Sequence, residues 1–201
     1  LACRALATRA GDDATVASLV YNTAELRVAH VRQAELGEGG QAALPALLAS
    51  VNSADNFERA VGIASLQVLN PLLRAKVLVV EGQFAEAVAL YDDNLQSAVE
   101  QGLQRLESSL LADLAWCHAQ LGRADQARHL ATVAEQALTP QVHHDDRGVT
   151  HGRLAQVHGL LGQAADAARH AAQAREAWAA FAALQAQWRA GLAASGLQPS
   201  A

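Results

Sequence analysis

The densest group of side chains able to do chemistry is His143-His144-Asp145-Asp146, with His151 close behind. Imidazole and carboxylate together suit zinc or a similar ion. These four are consecutive in a polar stretch between helices, however, and paired aspartates just before a helix favour the positive end of its dipole. The pattern predicts a solvated loop that caps a helix, with no metal. His118 and His158 stand at one position of a 40-residue repeat. Along adjacent helices they would form a pH-sensitive ladder; the plainer expectation is half-buried packing with one ring nitrogen hydrogen-bonded. Cys117 beside His118 has the composition of a thiolate nucleophile and its base, but neighbours on a helix point about 100° apart and cannot pair. No phosphate-binding G-x-x-x-x-G-K-S/T loop, G-x-S-x-G elbow or H-E-x-x-H motif is present. Gly37-Glu38-Gly39-Gly40 has no preceding strand and no lysine, so it predicts a turn and no phosphate site. The expectation is a non-enzymatic chain without catalytic residues, cofactor or metal.

The elements that must position these residues are set by a repeat. Glu81-Gly82-Gln83-Phe84-Ala85-Glu86-Ala87 returns as Leu121-Gly122-Arg123-Ala124-Asp125-Gln126-Ala127 and as Leu161-Gly162-Gln163-Ala164-Ala165-Asp166-Ala167, at intervals of 40 without slip. A fixed period of this length means stacked supersecondary units. Asn70-Pro71 starts a helix that runs to about Glu81. After the turn at Gly82, a second helix begins at Phe84 and carries Ala87, Val88, Tyr91 and Leu95 at helical spacing. The next pair runs from about Leu103 to Leu121 and Ala124 to Leu138, where Thr139-Pro140 stops it. The third runs from about Asp146 to Leu161, then from Ala164 to near Ala194. Upstream, Asp12-Asp13 begins a helix bearing Val16, Leu19, Val20, Ala24, Val28 and Val31, closed at Gly37, with further helices near 42–51 and 54–68. Residues 1–10 are read as half of a broken hairpin. The expectation is one helical-repeat domain over 1–201: degenerate hairpins over 1–69, recognisable repeats over 70–102, 103–140 and 144–180, and an extension of the last helix over 181–201.

Composition agrees with an all-α chain. Apolar residues make up 51%, much of it alanine, and aromatics only 4%; alanine is the strongest helix former and lets helices approach closely. A net charge of -5 lacks the basic field that phosphate neutralisation demands, so nucleic acid is not an expected partner. No stretch approaches the roughly 20 apolar residues of a membrane span. Cys3 and Cys117 are far apart, match no metal spacing, and predict free thiols in a reducing cytosol. The chain opens on Leu1 and contains no methionine, which suggests a piece of a longer protein; the alternative is that Leu1-Ala2-Cys3 ends a lipoprotein signal.

The hairpins resemble tetratricopeptide repeats, in a longer variant of about 40 residues against the usual 34. The resemblance rests on Leu114, Ala115, Gly122, Ala127 and Ala134 in the second unit and Leu154, Ala155, Gly162, Ala167 and Ala174 in the third. The first unit offers Ala75, Gly82, Ala87 and Tyr91, with Asn94 in place of a small residue. Leu111, His118, His151 and His158 stand where the family favours large aromatics. The match covers roughly 70–180. It implies a right-handed α-solenoid of stacked antiparallel hairpins whose first helices line a concave groove. It also implies that Leu72, Lys76, Val79, Ser109, Ala112, Trp116, Ala119, Gln120, Gly152, Gln156 and Gly159 would touch a protein or peptide segment bound there. A carboxylate-clamp ligand would need several basic residues, and Lys76 stands alone among these positions. Proteins of this resemblance are mostly partner-binding modules. Others are sensory segments ahead of bacterial signalling domains such as diguanylate cyclases or transcription regulators, which gives the alternative reading. The lysine-poor, Ala/Arg/Leu-rich composition suits a bacterium with a GC-rich genome.

Along the terminal helix, Trp178, Phe181, Leu184, Trp188 and Leu192 recur at spacings of three and four. The first part of this stripe should cover the last hairpin as a cap. Trp188 and Leu192 have no further repeat to receive them, which predicts an interface, either with a second copy or as a helix continuing into a parent protein.

Overall fold

The computed structural model describes residues 2–37 and 69–195. The helices expected near 42–51 and 54–68, and Glu38-Gly39-Gly40 of the expected turn, lie outside those residues. Among the described residues all regular structure is helical and no strand occurs: the chain is all-α. The helices are α1 (Ala2–Ala10), α2 (Asp13–Leu36), α3 (Leu69–Val80), α4 (Phe84–Ala98), α5 (Gln104–Gln120), α6 (Ala124–Gln136), α7 (His144–Leu160) and α8 (Ala164–Ala194). None of them is long and apolar enough to cross a membrane.

Three glycines set the hairpins. Gly82, Gly122 and Gly162 adopt φ of 75°, 74° and 75°, a region that costs a residue with a Cβ roughly 1–2 kcal/mol. The same two bonds close each helix before them. Gln83 N–H donates to the Leu78 carbonyl at 2.8 Å and Gly82 N–H to that of Val79 at 3.2 Å; Arg123 to His118 at 2.9 Å and Gln163 to His158 at 2.8 Å repeat the first. This is the Schellman termination, and it folds α4 back on α3, α6 on α5 and α8 on α7. The join between α4 and α5 is different: one wide π-type turn over Val99–Leu103, with Gly102 at φ 105°.

Each first helix buries two faces. Leu110, Leu114 and Cys117 of α5 pack with Leu72, Ala75 and Leu78 of α3 and Ala87, Val88 and Tyr91 of α4. Leu111, Ala112, Ala115 and Ala119 pack on Ala127, Ala131 and Ala134 of α6 and on Leu154 and Val157 of α7. The second cluster is mostly alanine, so close approach of backbones replaces large side chains as the source of dispersion contacts. Ala75 and Ala115 are wholly buried, whereas Ala155, their counterpart, is half-buried and lines a cavity.

The helix that stands outside the repeat is α2. Asp12 caps it, accepting from Thr15 N–H at 3.0 Å, and α1 packs on it alone among the helices with more than marginal contact. It lies against both α3 and α7, with Ala24, Val28 and Val31 packed on Leu73 and Val77.

Candidate functional site

Residues 73, 113 and 153 hold one register point on the three first helices, and 76, 116 and 156 lie a turn further along the same face. Their identities are Leu73, Asp113 and Arg153, then Lys76, Trp116 and Gln156. α2 meets this face residue by residue. Val28 and Val31 cover Leu73. Glu25 accepts from Lys76 Nζ at 2.5 Å. Arg32 Nη2 donates to Asp113 Oδ2. Glu35 receives both Nη1 and Nη2 of Arg153, at 2.6 and 2.8 Å.

Asp113 is the centre. It is fully buried, and besides Arg32 it accepts Arg153 Nε at 2.9 Å and the Tyr91 hydroxyl at 3.2 Å. Burial alone would push its carboxyl up, but Arg32 and Arg153 outweigh that and hold it below the usual range. The same burial, with the Asp113 charge, drives the Tyr91 hydroxyl well upward, so it stays a donor. Arg153 Nη1 also donates to Gln156 Oε1 at 2.8 Å, and its guanidinium lies 5.9 Å from the Trp116 ring centre. Two cations and two carboxylates make the cluster neutral, the condition under which charge is tolerated in an interior. Four separate helices, α2, α4, α5 and α7, are joined through one carboxylate.

The positions expected to touch a ligand divide into three sets. Lys76, Trp116, Gly152 and Gln156 surround α2 or its partners. Trp116 is half-buried between Arg153 and Phe84, whose ring meets it edge-on at 6.4 Å. At Gly152 an added Cβ would sit 3.1 Å from Leu36 Cβ of α2. Leu72 and Val79 are buried in the first core cluster and Ala112 and Ala119 in the second. Ser109 is buried with its hydroxyl on the Leu106 carbonyl, while Gln120 and Gly159 are exposed. Of the terminal stripe, Trp178 and Phe181 are half-buried, whereas Trp188 and Leu192 are 58% and 50% exposed.

Beyond the C-terminal end of α2, a cavity of about 610 Å³ opens between α7 and α8, lined by Glu35, Gly152, Gln156, Ala174, Arg175 and Trp178 among others. Gly148 makes room for the Trp178 ring, whose atoms lie 2.7–3.0 Å from where a Cβ would be.

The histidines fall elsewhere than expected. His143 is extended at φ −65°, ψ 157° and immediately precedes α7, so His144, Asp145 and Asp146 form the first turn of that helix and not a loop. Asp146 is paired with Arg105 at 3.1 Å, and burial, with Asp145 beside it, raises its carboxyl. His151 points away from this turn: its Nδ1 lies 3.0 Å from His170 Nδ1. His158 stacks on His170 at 5.2 Å with parallel rings and keeps its Nδ1 2.8 Å from Gln163 Oε1. His118 is buried with its Nδ1 unpartnered. Burial, aided by nearby Arg147 and Arg169, lowers His151 and His170 to about 4. Among the described residues no three His, Cys, Asp or Glu side chains are arranged to hold a metal. Burial and the Asp113 charge push the Cys117 thiol up to about 12, which suppresses thiolate chemistry there.

Sequence reasoning missed Asp113, Arg153, Arg32, Glu35 and His170. One signal was available: Asp113 interrupts Leu110-Leu111-Ala112 and Leu114-Ala115-Trp116, and Arg153 stands 40 residues on. A charge inside an apolar helix face demands a partner. No family model, no curated protein and no solved structure matches the chain.

Proposed function

We propose that this chain is a non-enzymatic, tetratricopeptide-like module, a right-handed solenoid of helical hairpins that takes a helical segment of a partner protein. The segment lies on the face built by residues 73 and 76 of α3, 113 and 116 of α5, and 153 and 156 of α7. One observation carries the reading. That face already holds a helix, α2, through an apolar contact on the first unit and ion pairs on all three. Helix-in-groove recognition uses anchors one or two turns apart on one side of the bound helix, and Glu25, Val28, Arg32 and Glu35 have that spacing.

The test is recognition in trans. A protease site is inserted after Gly37 and the folded chain is cut. The fragment bearing α2 should remain bound at micromolar concentration, and Asp113→Ala should release it at least tenfold more readily. Immediate loss of the fragment from the unsubstituted chain would overturn the reading.

A second reading, a regulatory segment acting on a signalling domain, is favoured by α8. Residues 186–195 are all exposed, so the helix leaves the body with an apolar edge available to a following domain. Fusing that helix in register to a reporter enzyme, and finding activity indifferent to insertions of one to three residues, would argue against transmission through it.

A further inference from the structure

We infer that α2 is a displaceable occupant of the groove, and that the partner is an amphipathic helix carrying acid, base and acid at i, i+7 and i+10 with small or β-branched residues between. This rests on the helix-binding reading above and adds the partner's chemistry and the regulation of the site.

The pattern is read from the complement on the groove. Lys76, Asp113 and Arg153 present plus, minus and plus along one face, and Glu25, Arg32 and Glu35 answer them in order. Leu73 and Val77 take Val28 and Val31; Gly152, where a Cβ would lie 3.1 Å from Leu36 Cβ, gives room for a leucine at the far end. A partner helix with reversed charges would place like charge against each anchor, so the register is specified as well as the sign.

Three features make α2 replaceable. Its buried residues are Val16, Ala17, Ala24, Val28, Val31 and Arg32, of which the apolar ones are all small or β-branched. The half-buried Tyr21 is the one large side chain packed on the cluster of Leu73 and Val77, and Leu26 points outward at 72% exposure. Its attachment is therefore weighted toward ion pairs, which specify a partner more than they tighten it. The fit also leaves Arg32 Nε and Glu25 Oε2 buried without hydrogen-bond partners, an uncompensated desolvation that a better-matched helix would relieve. Its covalent connection adds to this attachment through effective concentration, an advantage that a free helix must offset. A free helix whose own base at i+7 finds all its acceptors competes on equal chemistry.

The experiment uses the full chain and a fluorescein-labelled peptide of residues 12–37, followed by anisotropy and by amide hydrogen exchange. The double variant Glu25→Gln, Glu35→Gln weakens α2 without altering the groove. It should bind the peptide at least tenfold more tightly than the unsubstituted chain, and saturating peptide should speed exchange in α2 selectively. A peptide carrying Arg32→Glu should bind at least tenfold more weakly. If the double variant loses helicity, Glu25→Gln alone, at the partly exposed pair, carries the same comparison. α2 amides that stay protected in the variant, with no gain in peptide binding, would make α2 a permanent part of the fold and overturn this inference while leaving the groove reading intact. Freely exchanging α2 amides with no peptide bound would overturn the groove reading itself. Binding matched by concentration-dependent dimerisation would assign the groove to a second copy's α2 and overturn the partner named here.

Discussion

At the scale of the residue, the interior turns on Asp113. It is one carboxylate shared by Arg32, Arg153 and Tyr91, and removing it strands two buried guanidinium groups. Asp113→Ala should therefore cost about 3–5 kcal/mol in urea denaturation. Arg169→Ala, whose pairs to Glu135 and Asp166 are largely exposed, should cost less than about 1 kcal/mol. Equal effects would mean the network is not the keystone of the packing. The histidines give a second prediction. In the unfolded chain an imidazole protonates near 6.5; His151 and His170 are held to about 4. Between those values the unfolded chain binds more protons, so stability is fully present above pH 6.5 and falls as pH drops toward 4. Melting at pH 5 should show a loss of roughly 2 kcal/mol per histidine, about 4 kcal/mol in all, against pH 7, reduced by about half in His151→Gln. What was legible here follows from spacing. The 40-residue register places Asp113 and Arg153 on one face, but Arg32 and Glu35 belong to a helix outside the repeat. His170 belongs to a second helix, where no periodicity relates it to His151. Long-range charge pairs leave no local pattern.

At the scale of the element, the three hairpins were legible because glycine at a left-handed turn is a local requirement, repeated at Gly82, Gly122 and Gly162. The helix starts were less so. α7 begins at His144 and not at Asp146, because the extended backbone of His143, following the stop at Thr139-Pro140, already frees the next residue to turn. Small residues inside α7 have separate jobs. Gly148 accepts the rigid Trp178 ring with no space for a methyl, whereas Gly152 faces the C-terminal end of α2 at Leu36. Gly148→Ala should thus cost about 1–3 kcal/mol through overpacking, more than the gain in helix propensity of up to about 1 kcal/mol. Gly152→Ala, with only that gain and a small displacement of Leu36, should fall within about 1 kcal/mol of the unsubstituted chain. Chemical denaturation of the two variants side by side checks the order. At the alanine-filled crossing, Ala115→Leu should overpack α5 against α6 and α7 by about 1–3 kcal/mol, and an unchanged midpoint would contradict the packing at Ala115.

At the scale of the whole molecule, the two ends of the helical array are covered unequally. On one side, α2 covers the face of the first helices, and the charge on that face is balanced within the chain. At the far end α8 covers α7 with Ala174, Ala177, Trp178 and Phe181, and then leaves the body: from Ala186 to Ser195 every residue is exposed. Trp188 and Leu192, at 58% and 50%, lie one turn apart on one side of this projection, a surface with nothing within the described residues to dry it. Such a projection contributes little to folding, because it buries little apolar area, yet an exposed aromatic edge favours association. Ending the chain after Gln185 should accordingly leave the denaturation midpoint within about 0.5 kcal/mol equivalent of the intact chain, while the intact chain alone should show concentration-dependent sedimentation. Trp188→Ser in the 201-residue chain should reproduce the truncation without shortening the helix. If both chains sediment as identical monomers and Trp188 fluorescence remains that of a solvated indole, the projecting helix does not pair with a second copy. Its apolar edge then faces water in the isolated chain.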